Sequence, residues 1–202
     1  MKKVIGFDQE FDSILNKLLE NKLSNSLLLT GNKGIGKNYF IFQLIEEYIK
    51  KKVISEQINH HLSLLKNNSH PNIMKVKKEI DEKTKKLKNF IIIDQIRKIN
   101  QFSLETSVIE NIPKFILIDS ADDMNINASN GLLKILEEPK LNTYFFLISH
   151  QPSSLLPTIK SRCLKINLSN HNYDNFSRII KISNPDIDEE TNKFLYDISN
   201  GS

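Results

Sequence analysis

The stretch Leu27-Leu-Leu-Thr-Gly-Asn-Lys-Gly-Ile-Gly-Lys-Asn38 decides the fold of this chain. It begins as a short apolar run and continues as a glycine-rich loop, and residues 39–49 then repeat apolar side chains at helical spacing. This order of strand, loop and helix is the context that a phosphate-binding loop requires. The stretch therefore predicts such a loop at the centre of an α/β domain.

Each residue type in the loop has a physical role. Gly31, Gly34 and Gly36 allow backbone N–H groups to surround phosphate oxygens, and Lys37 and the helix N-terminus add positive charge. The spacing fits G-x-x-x-x-G-K-[ST] at every position except the last. Asn38 stands where a Ser or Thr hydroxyl would hold Mg²⁺. The loop is therefore predicted to be present with an altered metal ligand.

Two alternatives accompany this prediction. Gly and Asn are also common in ordinary turns, but the three glycines, Lys37 and the flanking strand and helix favour the phosphate loop. Loss of one oxygen ligand weakens a Mg²⁺ site, which has few protein ligands to begin with. Two states are then compatible with the loop, one that binds ATP and one that binds no nucleotide.

The composition is that of a globular protein, with 39% hydrophobic and 26% charged residues among 202. This length allows one good-sized domain and part of a second. The net charge of +4 is compatible with nucleic acid nearby but too small to argue for it alone. Cys163 is the only cysteine, which excludes an intrachain disulfide and a cysteine-rich zinc site. Without a membrane-length apolar run or a signal-peptide pattern, we expect a cytoplasmic protein.

A second chemical landmark is the apolar run Lys114-Phe-Ile-Leu-Ile-Asp119. A strand buried on both faces of a parallel sheet has this unbroken hydrophobicity, and Asp119 falls at the end where open α/β sheets bind ligands. An ATPase of this type usually places a water-activating Glu next, but Ser120 stands there, and Ser is not a general base on its own. Asp122 and Asp123 could supply a carboxylate instead, but they lie further along the chain than the position of that Glu. We therefore expect no hydrolysis by this chain alone.

The remaining pattern predicts alternating helices and strands. Helical spacing of apolar residues is found in four segments: residues 4–23, 95–102 with Asp94 as the cap, 132–136 and a short piece at 152–159. Strands are predicted at residues 73–76, 90–93, 144–148 and 164–168. From residue 171 onward only helices are predicted, at 173–182 and 188–198. This change predicts an α/β domain over residues 1–168 and the beginning of a helical domain over 169–202.

Two polar regions have a plain interpretation. His60, His61 and His70 lie close in sequence, but no Cys or carboxylate joins them at ligand spacing, so they are interpreted as solvated histidines. The run of residues 77–88 is dense in Lys and Glu and is typical of a solvated loop or hairpin. A basic face that contacts DNA is the alternative for this run.

Two further motifs carry a resemblance. The run Asn127-Ala-Ser-Asn-Gly-Leu-Leu-Lys-Ile-Leu-Glu-Glu-Pro139 and the triplet Ser161-Arg162-Cys163, together with the phosphate loop, resemble bacterial DNA polymerase III clamp-loader subunits of the AAA+ family. The segments His70-Pro71-Asn72 and Ile93–Arg97 are also similar to this family. The resemblance covers residues 1–168 well and extends plausibly over the rest. It implies an AAA+ parallel sheet flanked by helices, followed by the start of a small helical lid.

The altered loop distinguishes two types within this family. Motor subunits (gamma/tau) keep intact ATPase motifs, whereas the delta prime type has degraded ones and retains Ser-Arg-Cys. With Asn38 and Ser120, this chain resembles the delta prime type. Many members carry a four-cysteine zinc module after the first helix of the core, and this chain lacks those cysteines, so no zinc is expected. The family also adds a C-terminal oligomerisation domain, so we expect these 202 residues to be a fragment.

The resemblance implies specific site residues. Arg162 would act in trans as an arginine finger at a neighbour's ATP site, because its planar, permanently charged fork pairs with phosphate oxygens. A surface salt bridge is the plainer interpretation of Arg162, and Cys163 has a plain interpretation as a small buried residue. The chain's own nucleotide site is degenerate and contains no metal ligand set; its members are Gly31, Gly34, Gly36, Lys37, Asn38 and Asp119.

The implied function is that of a stator-like subunit in the ATP-driven loading of a sliding clamp onto primer–template DNA. The implied partners are the gamma/tau and delta subunits, and, through the complex, the clamp and DNA; no membrane is involved. Two rivals stay open at this point. One is an ATP-hydrolysing motor subunit of the gamma/tau type, and the other is a non-enzymatic DNA-binding module based on the basic run at residues 77–88.

Overall fold

Five parallel strands form the centre of the fold. The computed structural model describes residues 4–109 and 111–202; residues 1–3 and 110 of the predicted first domain lie outside this part. The strands are β1 (Ser26–Thr30), β2 (Ile73–Val76), β3 (Lys114–Asp119), β4 (Thr143–Ser149) and β5 (Leu164–Asn167). Their order across the sheet is β2-β3-β4-β1-β5, and every neighbouring pair is parallel.

Helices connect these strands and cover both faces of the sheet. The α-helices are α1 (Asp8–Leu19), α2 (Lys37–Lys52), α3 (Ser55–Lys66), α4 (Ile93–Leu104), α5 (Ile126–Glu137), α6 (Pro157–Arg162), α7 (Tyr173–Ser183) and α8 (Glu189–Ser199). A short 3₁₀ turn follows β3. The helices α7 and α8 come after the last strand and pack against each other, with the Asn192 side chain donating to Ser177 Oγ at 2.6 Å.

The central strands are apolar throughout because their two faces enter two different cores. In β3, Phe115 and Leu117 join the core beneath α1, α2 and α3, whereas Ile116 and Ile118 join the core beneath α4, α5 and α6. Strands β1 and β4 are buried along their whole length, as unbroken hydrophobic runs in a parallel sheet require. The predicted parallel sheet between two layers of helices is confirmed.

Two predicted helix starts and one predicted strand are wrong. The first helix begins at Asp8 and not at residue 4, and α6 begins at Pro157, a residue whose fixed φ suits the first turn of a helix. Residues 90–93 form no strand, because Ile91 makes only an isolated bridge to Met124 and α4 already begins at Ile93.

The cap of α4 also differs from the prediction, since Asp94 lies inside the first turn. Ile92 is the residue that precedes the helix, and Gln95 Oε1 accepts its backbone N–H at 3.2 Å. Asp94 instead pairs with Arg97 on the exposed surface at 2.7 Å. A second difference is α3, for which the sequence pattern predicts no element. The run of residues 77–88, predicted as a solvated loop or hairpin, is a hairpin with an antiparallel bridge between Ile80 and Leu87.

The interpretation of His61 and His70 as solvated residues is wrong, because both side chains are buried. Nδ1 of His61 lies 3.2 Å from Nε2 of His70, and Nδ1 of His70 accepts the backbone N–H of Asn72. Burial lowers the pKa of His70 to about 4, helped by the charges of His61 and His60, and burial also lowers the pKa of His61. The pair is therefore neutral at physiological pH and belongs to the core beneath α3.

Asn72 gives a structural reason for the sequence His70-Pro71-Asn72. The side-chain amide of Asn72 donates to the backbone carbonyls of Ile109 at 2.9 Å and Ile112 at 2.6 Å, and the backbone carbonyl of Asn72 accepts from Phe115 N. The side chain is fully buried. Asn72 thus attaches the segment before β3 to the start of β2.

We predict that the buried histidine pair makes the fold sensitive to acid. As the pH falls from about 6.5 toward 4, the unfolded chain binds protons that folded His70 does not, so the free energy of unfolding decreases. The loss reaches up to about 3 kcal/mol. Urea unfolding at pH 7.5 and pH 5 measures it. The variant His70→Asn should reduce this difference, whereas His60→Gln on the exposed histidine should preserve it; equal pH dependence in both variants would contradict the prediction.

We also predict that Asn72→Ala lowers the free energy of unfolding by about 2–4 kcal/mol. The change removes two donated hydrogen bonds and leaves two carbonyls without their partner. Chemical denaturation compared with Asn67→Ala, an exposed position at the end of α3, isolates this effect. A difference below about 0.5 kcal/mol between the two variants, the range usual for surface substitutions, would show that these hydrogen bonds are not needed.

Candidate functional site

The glycine-rich loop joins β1 to α2 at the carboxyl edge of the sheet. Gly36 immediately precedes α2 and has a φ of 91°, in the left-handed region that favours glycine. At Gly31 a Cβ atom would lie 2.3 Å from the backbone oxygen of Leu168, so any side chain would displace the end of β5. The loop therefore has the strand–loop–helix context that the sequence predicts, and its glycines are required by the backbone.

Lys37 lies at the centre of this loop. Its side chain is buried, and Nζ donates to the backbone carbonyls of Gly31 and Asn32, both at 2.6 Å. Burial lowers the pKa of Lys37 to about 8, while the charges of Asp122 and Asp119 oppose the shift. The ammonium group is thus held by the loop at the point where an anion would bind.

The position of Mg²⁺ in an active site of this type is closed by side chains. The side-chain amide of Asn38 donates a hydrogen bond to Oδ2 of Asp119. Lys75 Nζ, from the neighbouring strand β2, lies 3.7 Å from the same oxygen. Magnesium requires oxygen ligands at near-ideal octahedral geometry, whereas this arrangement offers an N–H donor and a cation. The residues present do not fit a magnesium ion here.

No carboxylate replaces the missing general base at position 120. Ser120 Oγ donates to Asp123 at 3.0 Å, and Lys78 forms an ion pair with the other oxygen of Asp123 at 2.9 Å. Asp122 accepts hydrogen bonds from the Ser149 hydroxyl and from backbone N–H groups of the loop after β4. Asp122 and Asp123, the two candidate replacements for the general base, are thus already engaged in contacts that hold the strand ends together. Sequence reasoning missed this anchoring role of Asp122.

His150 follows directly after β4 on the same edge of the sheet. Its Nδ1 atom is buried and has no hydrogen-bond partner among the described residues. Burial lowers the pKa of His150, and the charges of Lys37 and Lys33 lower it further, against the opposing effect of Asp122 and Asp119. The ring is therefore neutral near pH 7 and lies in the electrostatic field of the loop lysine.

An apolar cavity of about 410 Å³ opens beside the loop. It is bounded by residues near the N-terminus, by the start of α2 and by α7; among its lining residues are Ile5, Tyr39, Phe176, Ile180 and Ile182. Such a surface accepts a flat, mostly apolar group placed next to a phosphate loop. The sequence pattern alone did not indicate this cavity, since its walls come from three distant segments.

Arg162 lies apart from these residues, at the end of α6. It forms a salt bridge with Glu137 at the end of α5, and Nη1 donates to the carbonyl of Thr158 at 2.9 Å. The structure thus brings Asn38 and Asp119 together at the loop, whereas Arg162 makes its hydrogen bonds to residues of α5 and α6. Cys163 is half-buried, and burial raises the pKa of its thiol to about 11. It is therefore a protonated packing residue.

A metal centre and a membrane-spanning helix are both absent from residues 4–109 and 111–202. No group of three His, Cys, Asp or Glu side chains within these ranges is arranged to hold a metal ion. No helix in this part of the chain combines the length and apolar character needed to cross a lipid bilayer.

Comparison with known proteins decides the family. The sequence profile described as "DNA polymerase III, delta subunit" matches residues 8–172, most of the chain. The chain belongs to this family. Among curated relatives, the DNA polymerase III subunit delta' of Pseudomonas aeruginosa is 44% identical over 102 residues, covering 50% of this chain and 29% of that protein. The delta prime resemblance of the motifs is confirmed.

Two further comparisons agree with the fold. The DNA polymerase III subunit delta' of Bacillus subtilis is 31% identical over 152 residues, covering 74% of this chain and 44% of the relative. The matched segments span less than half of both relatives. A Thermotoga maritima crystal structure, titled as a DNA polymerase III gamma subunit-related protein, superposes with a TM-score of 0.64 at 21% identity. It covers 86% of this chain and 49% of that chain, and it confirms the AAA+ type of α/β fold.

We predict that Asn38→Thr combined with Ser120→Glu does not produce ATP turnover by the isolated chain. The double change restores two motif residues, but Lys75 still lies beside Asp119 and repels a metal ion. Turnover at saturating Mg·ATP should equal that of the parent, with circular dichroism showing an unchanged fold. A large gain would mean that the rest of the site is preserved for hydrolysis.

Proposed function

We propose that this chain is a delta prime-like stator subunit of the DNA polymerase III clamp loader, and that it supplies Arg162 in trans to the ATP site of a neighbouring subunit. The observation that carries the proposal is the hydrogen bond between Asn38 and Asp119, which closes the chain's own metal position. The Ser161-Arg162-Cys163 triplet is meanwhile intact. A subunit with this combination supplies an arginine to the ATP site of its neighbour and does not hydrolyse ATP at its own site.

The chemistry of Arg162 suits this role. Charge on the γ-phosphoryl group spreads over its oxygens in the transition state, and a guanidinium group from a second subunit stabilises that charge. Arg162 remains cationic at any physiological pH and presents its donors in a planar fork. Its side chain is one-third exposed, so an approaching subunit has access to it.

The chain's own loop is proposed to be a degenerate site. The backbone cradle and Lys37 remain suited to phosphate, and the apolar cavity lies beside them. Nucleotide held there would lack both a metal ligand at Asn38 and a base at Ser120. The loop is therefore either an ATP site without turnover or an empty structural element, and in neither state does this chain hydrolyse ATP.

The proposed partners follow from the family. The relatives are named as subunits of DNA polymerase III, and we extend such an assembly to this chain, with gamma/tau and delta subunits as neighbours and the clamp and primer–template DNA reached through the complex. We place this assembly in the cytoplasm. We also propose that residues 1–168 form the AAA+ domain and that residues 169–202 begin the helical lid.

The two rival functions have weaker support. A motor subunit would need a metal ligand and a general base, and Asn38 and Ser120 provide neither. A DNA-binding module would use the basic hairpin, but Lys78 pairs with Asp123 and Lys88 pairs with Glu79 at 3.0 Å. These ion pairs neutralise part of the positive charge that phosphate contacts require.

We predict that Arg162→Ala in the reconstituted loader lowers ATP turnover at the interface completed by this subunit by about 10³-fold. The physical reason is the loss of a cation from the transition state of a site that has its own metal and base. Hydrolysis should be measured with the full-length protein, primed DNA and clamp.

Two controls make this experiment specific. Lys165→Ala removes an exposed cation from the neighbouring strand β5 and should leave turnover unchanged. Arg162→Lys keeps the charge without the fork and should recover only part of the rate. Wild-type hydrolysis by the Arg162→Ala loader, or robust turnover by this chain alone, would exclude the proposed role.

A further inference from the structure

The side chain of Arg162 is folded back onto its own subunit. Nη1 donates to the carbonyl of Thr158, one helical turn earlier in α6, at 2.9 Å. Nη2 donates to Oε1 of Glu137 at 2.5 Å. Both terminal nitrogens of the fork are therefore engaged inside the chain, a position that we call retracted, although the side chain stays partly exposed.

Glu137 lies at a helix end, where a carboxylate needs positive charge beside it. It is the last residue of α5, and the carboxyl end of a helix carries partial negative charge. A carboxylate is unfavourable at such a helix end, and Arg162, together with Lys134 in the last turn of α5, supplies compensating positive charge there.

The pair is nevertheless exposed enough to be exchanged. The side chains of Arg162 and Glu137 are 32% and 48% exposed, and solvated ion pairs of this kind are weak. A triphosphate carries more charge than one carboxylate, and its oxygens can accept from both nitrogens of the fork, whereas Glu137 accepts from Nη2 alone. Replacing one anion by the other moves no proton, since Arg162 stays charged throughout.

We propose that Glu137 is a competing anion that holds Arg162 retracted in the free subunit, and that the arginine exchanges this carboxylate for the γ-phosphate of the neighbour when the subunits close. This inference rests on the proposed finger role of Arg162. Glu137 touches no reacting atom in this scheme. It acts only by setting the fraction of subunits in which Arg162 is free to contact the neighbour.

The competition between Glu137 and phosphate predicts the direction in which a substitution of Glu137 changes ATP turnover. The substitution Glu137→Gln keeps the size of the side chain and removes its charge, so a larger fraction of Arg162 becomes available to the neighbour. We expect the half-saturating ATP concentration of the loader to fall, or its turnover to rise, by about two- to fivefold at low salt. The gain should shrink as ionic strength rises, because salt screens the competing pair in the parent.

The test uses the reconstituted loader with full-length protein and compares Glu137→Gln with Glu138→Gln. The second variant removes the adjacent carboxylate, which forms no ion pair with Arg162, and it should have little effect. In an Arg162→Ala background, Glu137→Gln should also have no effect. Unchanged or reduced activity of Glu137→Gln in the presence of Arg162 would overturn the competition, because a residue that aims the finger outward gives a loss.

A second measurement separates this inference from the finger role. In the free full-length subunit, the guanidinium NMR signals of Arg162 should show slow rotation in the parent and averaged signals in Glu137→Gln. Averaged signals in both proteins would overturn the retracted position even if Arg162→Ala abolishes hydrolysis. A third outcome is slow rotation in the parent but not in Glu137→Gln, together with normal activity of the Arg162→Ala loader. It would reject the proposed finger role of Arg162 and with it the exchange of Glu137 for phosphate.

Discussion

The side-chain amide of Asn38 donates a hydrogen bond to the carboxylate of Asp119, and the functional character of the molecule depends on this contact. It joins the phosphate loop to the central strand β3 at the edge where such sheets bind ligands. The same oxygen of Asp119 also faces Lys75. A donor and a cation thus satisfy a carboxylate that would otherwise be available to a metal ion, and the loop keeps its shape.

The rest of the edge is organised consistently with that contact. Asp122 joins the end of β3 to the end of β4, and Asp123 is held between Ser120 and Lys78. The carboxylates near the loop therefore serve packing and strand alignment. Arg162 lies on a different part of the surface, paired with Glu137. The degenerate site and the proposed donated residue are thus separate on one domain, as a subunit that completes a neighbour's site requires.

Much of this arrangement could be predicted from the sequence because it depends on local chemistry. An unbroken run such as Phe115–Ile118 has no solvent face, so it predicts a central parallel strand, and the glycine spacing predicts the loop. Other features depend on contacts between distant segments. The burial of His61 against His70, the short bridge at Ile91 and the partner of Arg162 are set by which elements pack together, and no local pattern encodes them.

Occupation of the closed metal position is the most direct test of this account. We would record the side-chain amide NMR signals of Asn38 in the full-length protein while adding Mn²⁺ together with ATP. We expect these signals to keep their hydrogen-bonded shift and to show no selective paramagnetic broadening, because the Asn38 amide and Lys75 occupy the metal's place. Strong selective broadening at Asn38, with release of its hydrogen bond to Asp119, would show that a metal–nucleotide complex binds there and that the position is not closed.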